Sequence, residues 1–200
     1  MWDDILRFSL EHIVIVAISV GVAVAIALPV GVLVTRRERW RTVALGFASV
    51  MQTVPSLALF GFLLPIPFIG GIGKHTAIIA LVLYALLPIL RNTVTGIVGV
   101  DPAVRESAVA MGLTEFQLLT MVELPLAART ILGGIRIATV TTVGTATIGA
   151  LIGAGGLGVL VLRGIEMVDP QEILAGAIPS AVLALAADGG LGWIERRLAA

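Results

Sequence analysis

Five apolar runs, each long enough to cross a bilayer, constrain this chain more than any other feature. A helix needs about 20 consecutive apolar residues to span hydrocarbon. Such runs cover about 10–34, 43–64, 76–98, 131–152 and 172–193. A soluble domain of 200 residues could not hide this much apolar surface: 58% of the chain is hydrophobic, 13% is charged, and the mean hydropathy is +1.07. Lipid removes the need for a polar exterior. The expectation is an all-α integral membrane protein of about five transmembrane helices, forming a single domain over 1–200. With 13 Lys and Arg against 13 Asp and Glu, there is no electrostatic case for nucleic acid. The chain has no Cys, which excludes disulfides and thiolate metal sites, and no metal site is expected from its two His. It begins Met1-Trp2-Asp3-Asp4, acidic where a secretory signal is basic, so the first run reads as a retained helix.

The basic residues set the expected orientation, because cytoplasmic loops collect Lys and Arg. Arg36, Arg37, Arg39 and Arg41 follow the first run. Arg91, Arg105, Arg129 and Arg136 lie in or beside the third connection, and Arg196 and Arg197 follow the last run. Only Arg7, Lys74 and Arg163 fall on the other side. The two sets alternate as five crossings require, which places the N-terminus outside, the C-terminus inside and 99–128 in the cytoplasm. Pro29, Pro55, Pro88 and Pro179 lie within runs. Each either bends a helix for packing or marks a place where a pathway opens, since neighbouring helices can satisfy the freed carbonyls.

The cytoplasmic stretch carries the most local information. Asp101-Pro102 can cap and start a helix. Val104, Ala108 and Met111 recur at helical spacing, and Gly112 ends it. Thr114 restarts a second helix with Gln117 placed as its capping-box partner. Phe116, Leu119 and Leu124 are apolar although cytoplasmic. A helix–glycine–helix elbow bearing exposed apolar residues has the character of a docking surface.

This segment resembles the EAA loop of ABC importer permeases, whose pattern is E-A-A, three residues, G, nine residues, I, one residue, L-P. Glu106, Ala108, Gly112, Leu124 and Pro125 match at that spacing, while Ser107 replaces an Ala and Val122 replaces the Ile. The resemblance implies the type I permease fold. It also implies that Glu106, Ser107, Ala108, Gly112, Phe116, Val122, Leu124 and Pro125 couple to an ATPase. A second resemblance narrows the group. Gln52-Thr53-Val54-Pro55-Ser56-Leu57-Ala58-Leu59 with Gly61-Phe62-Leu63-Leu64-Pro65 is similar to the second helix of osmoprotectant permeases. Leu83-Tyr84-Ala85-Leu86-Leu87-Pro88-Ile89-Leu90-Arg91-Asn92-Thr93 is similar to the third, and Gly176-Ala177-Ile178-Pro179 with Glu195-Arg196-Arg197 fits the tail. The resemblance covers nearly the whole chain. It implies import of a quaternary ammonium solute (glycine betaine, choline or carnitine) across a bacterial inner membrane.

The implied partners are an ABC ATPase dimer that binds the ATP and Mg, a second copy or a similar paired permease, membrane lipid, and a separate secreted or lipid-anchored solute-binding protein. No catalytic residue and no cofactor are expected in this chain. A compact amino-acid permease of the methionine type and an ergothioneine permease are the nearest alternatives. A passive channel is a remote one, since it has no use for the 106–125 elbow. A membrane-embedded enzyme lacks its pair, because Ser19, Ser49, Ser56 and Ser180 have no evident His beside them.

Two glycine-rich patterns fail their contexts. Gly153-Ala154-Gly155-Gly156-Leu157-Gly158 satisfies G-x-G-x-x-G, but a dinucleotide site needs it between a strand and a helix. Gly73-Lys74 lacks the remainder of a P-loop, whose Gly and Ser/Thr places hold Phe68 and His75. Thr139, Thr142 and Thr145 share one broad helical face. Three roles fit them: bonds to their own helix carbonyls, glue between helices, or a polar lining for the solute. With Gln52, Pro55, Ser56 and Tyr84 they form the candidate translocation path. Asp188 reads as an ionisable group near the inner end of its run, functional or snorkelled. His12 and His75 read as solvated. Ten scattered aromatics supply no cage for a quaternary ammonium, which places cation recognition in the binding protein.

Overall fold

The computed structural model describes residues 2–67 and 69–197. Phe68, which entered the P-loop comparison, lies outside the described residues.

Helix α1 runs over Trp2–Thr35, with Asp3 and Asp4 in its first turn, where negative charge suits the helix dipole. It starts well before the apolar run begins. Leu6, Leu10, Ile13, Val14, Ile18, Val22 and Ile26 form its exposed face, and Ile15, Val16, Val20 and Ala23 face the core. Helices α2 (Glu38–Thr53) and α3 (Ser56–Leu63) occupy the second run. The single helix expected over 43–64 is instead a pair bent by 100°. Pro55 supplies the reason. It disfavours helical backbone in the residue before it, and Val54 is extended at φ −66°, ψ 126°.

Helix α4 (Lys74–Val98) is the central element, with Ala77, Ala80, Leu81, Ile89 and Thr93 fully enclosed between α1 and the later helix α7. It holds the break in the second run from the side: the Tyr84 hydroxyl donates to the Val54 carbonyl. Pro88 has no N–H to offer the Tyr84 carbonyl four residues earlier. Gln52 Nε2 approaches that carbonyl at 3.5 Å.

Past α4 come α5 (Pro102–Ala110), α6 (Glu115–Leu118) and a π-helical turn over Leu119–Glu123. The turn leads directly into α7 (Leu124–Ala146). Small residues let α7 approach α4: a Cβ on Gly134 would sit 2.7 Å from the Pro88 carbonyl oxygen. The fourth run ends in a 3-10 turn over Ile148–Ile152. Helix α8 (Gly158–Met167), absent from the sequence expectation, follows and is too short to span a bilayer. Helix α9 (Pro170–Arg197) closes the described chain. Gly176 admits α8 against α9, since a Cβ there would lie 2.7 Å from the Leu157 carbonyl oxygen.

The glycine-rich run is a structural loop folded onto α1. Gly153, Gly155 and Gly156 take positive φ of 74°, 85° and 77°, a region L side chains rarely enter. The Gly156 N–H donates to Glu11 Oε2 at 3.3 Å. His12 is buried beneath this loop, with Nε2 3.0 Å from the Val143 carbonyl oxygen. The solvated reading of His12 is therefore wrong: loop and α7 cover it. His75 is exposed, its Nδ1 3.2 Å from the Ile69 carbonyl oxygen. Among the described residues, four helices (α1, α4, α9 and the continuous 115–146 segment) are long and apolar enough to cross a membrane, or five spans if the bent pair counts as one.

Candidate functional site

The elbow is built by short-range hydrogen bonds that its residues dictate. Asp101 caps α5 by accepting from the Ala103 N–H at 2.8 Å, with Pro102 in the first turn. At the other end Gly112, at φ +85°, completes a Schellman closure. Its N–H donates to the Val109 carbonyl at 2.9 Å, and the Leu113 N–H to the Ala108 carbonyl at 3.2 Å. No atom lies within 4 Å of a Cβ placed at Gly112, so backbone conformation, not crowding, demands the glycine there. Thr114 and Gln117 form both bonds of a capping box.

The eight elbow residues named from sequence fall into two sets. Glu106, Ser107, Gly112, Phe116 and Pro125 are exposed, Phe116 at 74%. Ala108 is buried at 2%; it anchors the elbow to its own chain. Val122 and Leu124 are half-buried. Leu119 and Leu124 pack with Ile97, Ala127 and Ile131, so they are not the free apolar surface expected of them. The exposed large apolar residues of the elbow are Val104, Val109, Met111, Phe116 and Met121.

Beneath the elbow lies a group that sequence reasoning missed. Glu123 ends the π turn and is 0% exposed. Arg36, just past α1, donates from Nη1 to Oε1 at 3.2 Å and from Nη2 to Oε2 at 2.7 Å. Arg105, on α5, places Nε 3.1 Å from Oε1 and donates from Nη2 to the Ile97 carbonyl near the end of α4. One buried carboxylate thus joins the end of α1, the first elbow helix, and the start of α7, and its second arginine reaches α4. Burying such a charge is tolerable only with full pairing. The signal was present: an acid inside the apolar run Leu118-Leu119-Thr120-Met121-Val122-Glu123-Leu124-Pro125-Leu126 needs a cationic partner.

The candidate path residues separate into two places. Gln52, Pro55, Ser56 and Tyr84 gather at the α2–α3 break. Thr139 instead lines an apolar cavity of about 320 Å³ between α1, α7 and α9, beside His12, Val143 and Leu183. Thr139 and Thr145 donate back to the Ile135 and Thr141 carbonyls at 2.8 and 2.9 Å. Thr142 is buried with its hydroxyl unpartnered by protein. Asp188 is held by Arg136 in a bidentate pair of 2.6 and 2.7 Å, an unanticipated bond between α7 and α9. Among the described residues no group of His, Asp or Glu is arranged to hold a metal.

Comparison with known proteins agrees with this architecture. A family described as "Binding-protein-dependent transport system inner membrane component" matches residues 13–200. The carnitine transport permease protein OpuCD of Listeria monocytogenes serotype 1/2a (strain 10403S) is 47% identical over 171 residues, covering 85% of this chain and 75% of that protein. The glycine betaine/carnitine/choline transport system permease protein OpuCD of Bacillus subtilis (strain 168) is 46% identical, covering 85% and 73%. Among solved structures, an inward-facing MetNI methionine ABC transporter chain superposes with TM-score 0.87 at 25% identity, covering 99% of this chain and 97% of that one.

Proposed function

This chain belongs to the family of binding-protein-dependent transport system inner membrane components, and from that premise we propose that it is the permease subunit of an ATP-driven osmoprotectant importer. Its cargo is a small quaternary ammonium solute: glycine betaine, carnitine or choline. The observation that carries the cargo class is the 46–47% identity, over 85% of the chain, to permeases named for those solutes. Likeness to the methionine transporter chain rests on 25% identity and speaks to fold more than to cargo.

In this reading ATP and Mg are bound by a separate ATPase dimer, a binding protein delivers the solute, and a second permease completes the pathway. The elbow docks on the ATPase through Val109, Met111, Phe116 and Met121, which remain exposed among the described residues. ATPase closure displaces the elbow. The Arg105–Glu123–Arg36 node then carries that displacement into α1, α4 and α7, because a buried ion pair resists separation. The solute pathway alternates its access, and the solute biases the equilibrium through its differential affinity for the two states.

The test is reconstitution of the chain with the ATPase, binding protein and any second permease encoded beside it. ATP-dependent uptake of labelled betaine, carnitine or choline is expected, with methionine not carried. Uptake of methionine alone, or solute flux indifferent to ATP, refutes the assignment.

A further inference from the structure

The α7–α9 face carries charge where apolar helices have no evident use for it. Arg136 and Asp188 each sit about five residues inside the arginine-rich ends of their runs, about 7–8 Å into the hydrocarbon span. Arg136 Nε and Nη2 bind Asp188 Oδ1 and Oδ2 at 2.6 and 2.7 Å. Arg136 Nη1 also lies 3.4 Å from Glu195 Oε2, and Arg129 Nε lies 3.7 Å from Glu195 Oε1. Arg129 and Arg136 are seven residues apart on α7, as are Asp188 and Glu195 on α9, so the helices meet as a two-rung ladder. Gly192 makes room for it: a Cβ there would lie 3.0 Å from Arg136 Nη1.

The upper rung is not enclosed. Arg136 and Asp188 side chains remain 33% and 41% exposed, opening on a cavity of about 410 Å³ whose wall includes Ile137, Val140 and Thr141. Ionisable groups at this depth avoid lipid and turn toward protein or water-filled cavities. The exposed face of α1, by contrast, is apolar from Leu10 to Ile26.

We propose that the α7–α9 face around Arg136 and Asp188 lines the water-filled solute path and holds a small zwitterion in transit. This rests on the permease reading and deepens it. A planar guanidinium accepts a solute carboxylate in the same forked geometry in which it now holds Asp188. The released Asp188 carboxylate then faces the solute's quaternary ammonium, which has no N–H and is attracted by charge alone. One ion pair is exchanged for two, with no net charge added to the site. Such an exchange binds a solute without trapping it, as a transit site must. A cation without a carboxylate must instead compete with Arg136 for Asp188 and gains less.

The chain contains no Cys, so single cysteines report cleanly. In the reconstituted complex, Ile137→Cys and Val140→Cys are expected to react with a membrane-impermeant methanethiosulfonate at least tenfold faster than Val22→Cys on the exposed α1 face. Glycine betaine slows that labelling at a concentration at least tenfold below choline. Rates equal to Val22→Cys place the face in lipid or in a dry interface and overturn the proposal; equal protection by the two solutes overturns the zwitterion assignment. Arg136→Met/Asp188→Leu removes both charges without orphaning either and is expected to cut betaine uptake at least tenfold; wild-type uptake makes the pair structural only. If that double variant does not accumulate, Arg136→Lys keeps the charge but loses the fork, and unchanged uptake by it overturns the proposal equally. Wild-type uptake in the same vesicles reads the permease assignment separately, since labelling requires no transport.

Discussion

Replacing Glu123 by Gln tests the buried node beneath the elbow. The carboxylate is fully buried and takes two bonds from Arg36 and an ion-pair contact from Arg105. Breaking a buried ion pair by removing one partner costs about 3–5 kcal/mol, because the other charge is left uncompensated. Here the two arginine side chains are 43% and 29% exposed and can turn partly toward water. The expected loss for Glu123→Gln is therefore about 2–3 kcal/mol, below the full penalty. Arg36→Gln leaves Glu123 paired with Arg105 and is expected to cost less, about 1–2 kcal/mol. Replacing all three with apolar residues of similar size, Arg36→Met/Arg105→Met/Glu123→Leu, leaves no orphan charge and is expected to be near neutral for stability. Equilibrium unfolding in mixed micelles measures each value. Solute moved per ATP hydrolysed in the reconstituted complex measures coupling. The triple variant is expected to fold and hydrolyse ATP while moving at least tenfold less solute. A Glu123→Gln cost under about 0.5 kcal/mol, or normal coupling in the triple variant, refutes the node.

Further outcomes follow from packing. Gly134→Ala forces a Cβ to within 2.7 Å of the Pro88 carbonyl oxygen and is expected to lose about 1–3 kcal/mol. Gly21→Ala, with nothing within 4 Å, is expected to be neutral or to gain up to about 1 kcal/mol from helix propensity; the same micelle unfolding decides both. Tyr84→Phe deletes the hydroxyl that binds the Val54 carbonyl at the α2–α3 break and is expected to cost about 1 kcal/mol, with faster proteolysis or hydrogen exchange confined to residues 50–58. Gly156→Ala strains a φ of +77° and puts a Cβ 3.0 Å from His12 Nδ1. Its destabilisation is expected to shrink in a His12→Ala background, and a double-mutant cycle with no coupling contradicts the packing of the loop on α1.

What the sequence could show depended on how far apart the partners lie. The elbow was legible in detail, because its Asp101 cap, Gly112 closure and Thr114–Gln117 box each join residues at most five apart. Helix α4 was legible because apolar residues run unbroken from Ala77 to Leu90. The break at Val54 was not, since Pro88 also sits mid-helix without breaking α4; the difference lies in Tyr84, 30 residues away, holding the Val54 carbonyl. Long separations also hid Glu123 from Arg36 at 87 residues, Arg136 from Asp188 at 52, and His12 from Val143 at 131. His12 is in addition covered by the glycine-rich loop, whose own residues do not name the helix it folds onto. Helix α8 went unread because a ten-residue amphipathic segment after a glycine-rich loop carries too little apolar length to stand out.

Energy entry through the elbow is tested most directly at Phe116. Its side chain is 74% exposed and belongs to none of the hydrophobic clusters among the described residues, so Phe116→Asp is expected to leave folding and membrane insertion unchanged. In vesicles carrying the complete complex, ATP-dependent betaine uptake by this variant is expected to fall at least tenfold, with the ATPase no longer copurifying at stoichiometric yield. Uptake at the wild-type rate, with the variant present at the wild-type level, contradicts the elbow as the place where ATPase motion reaches the permease.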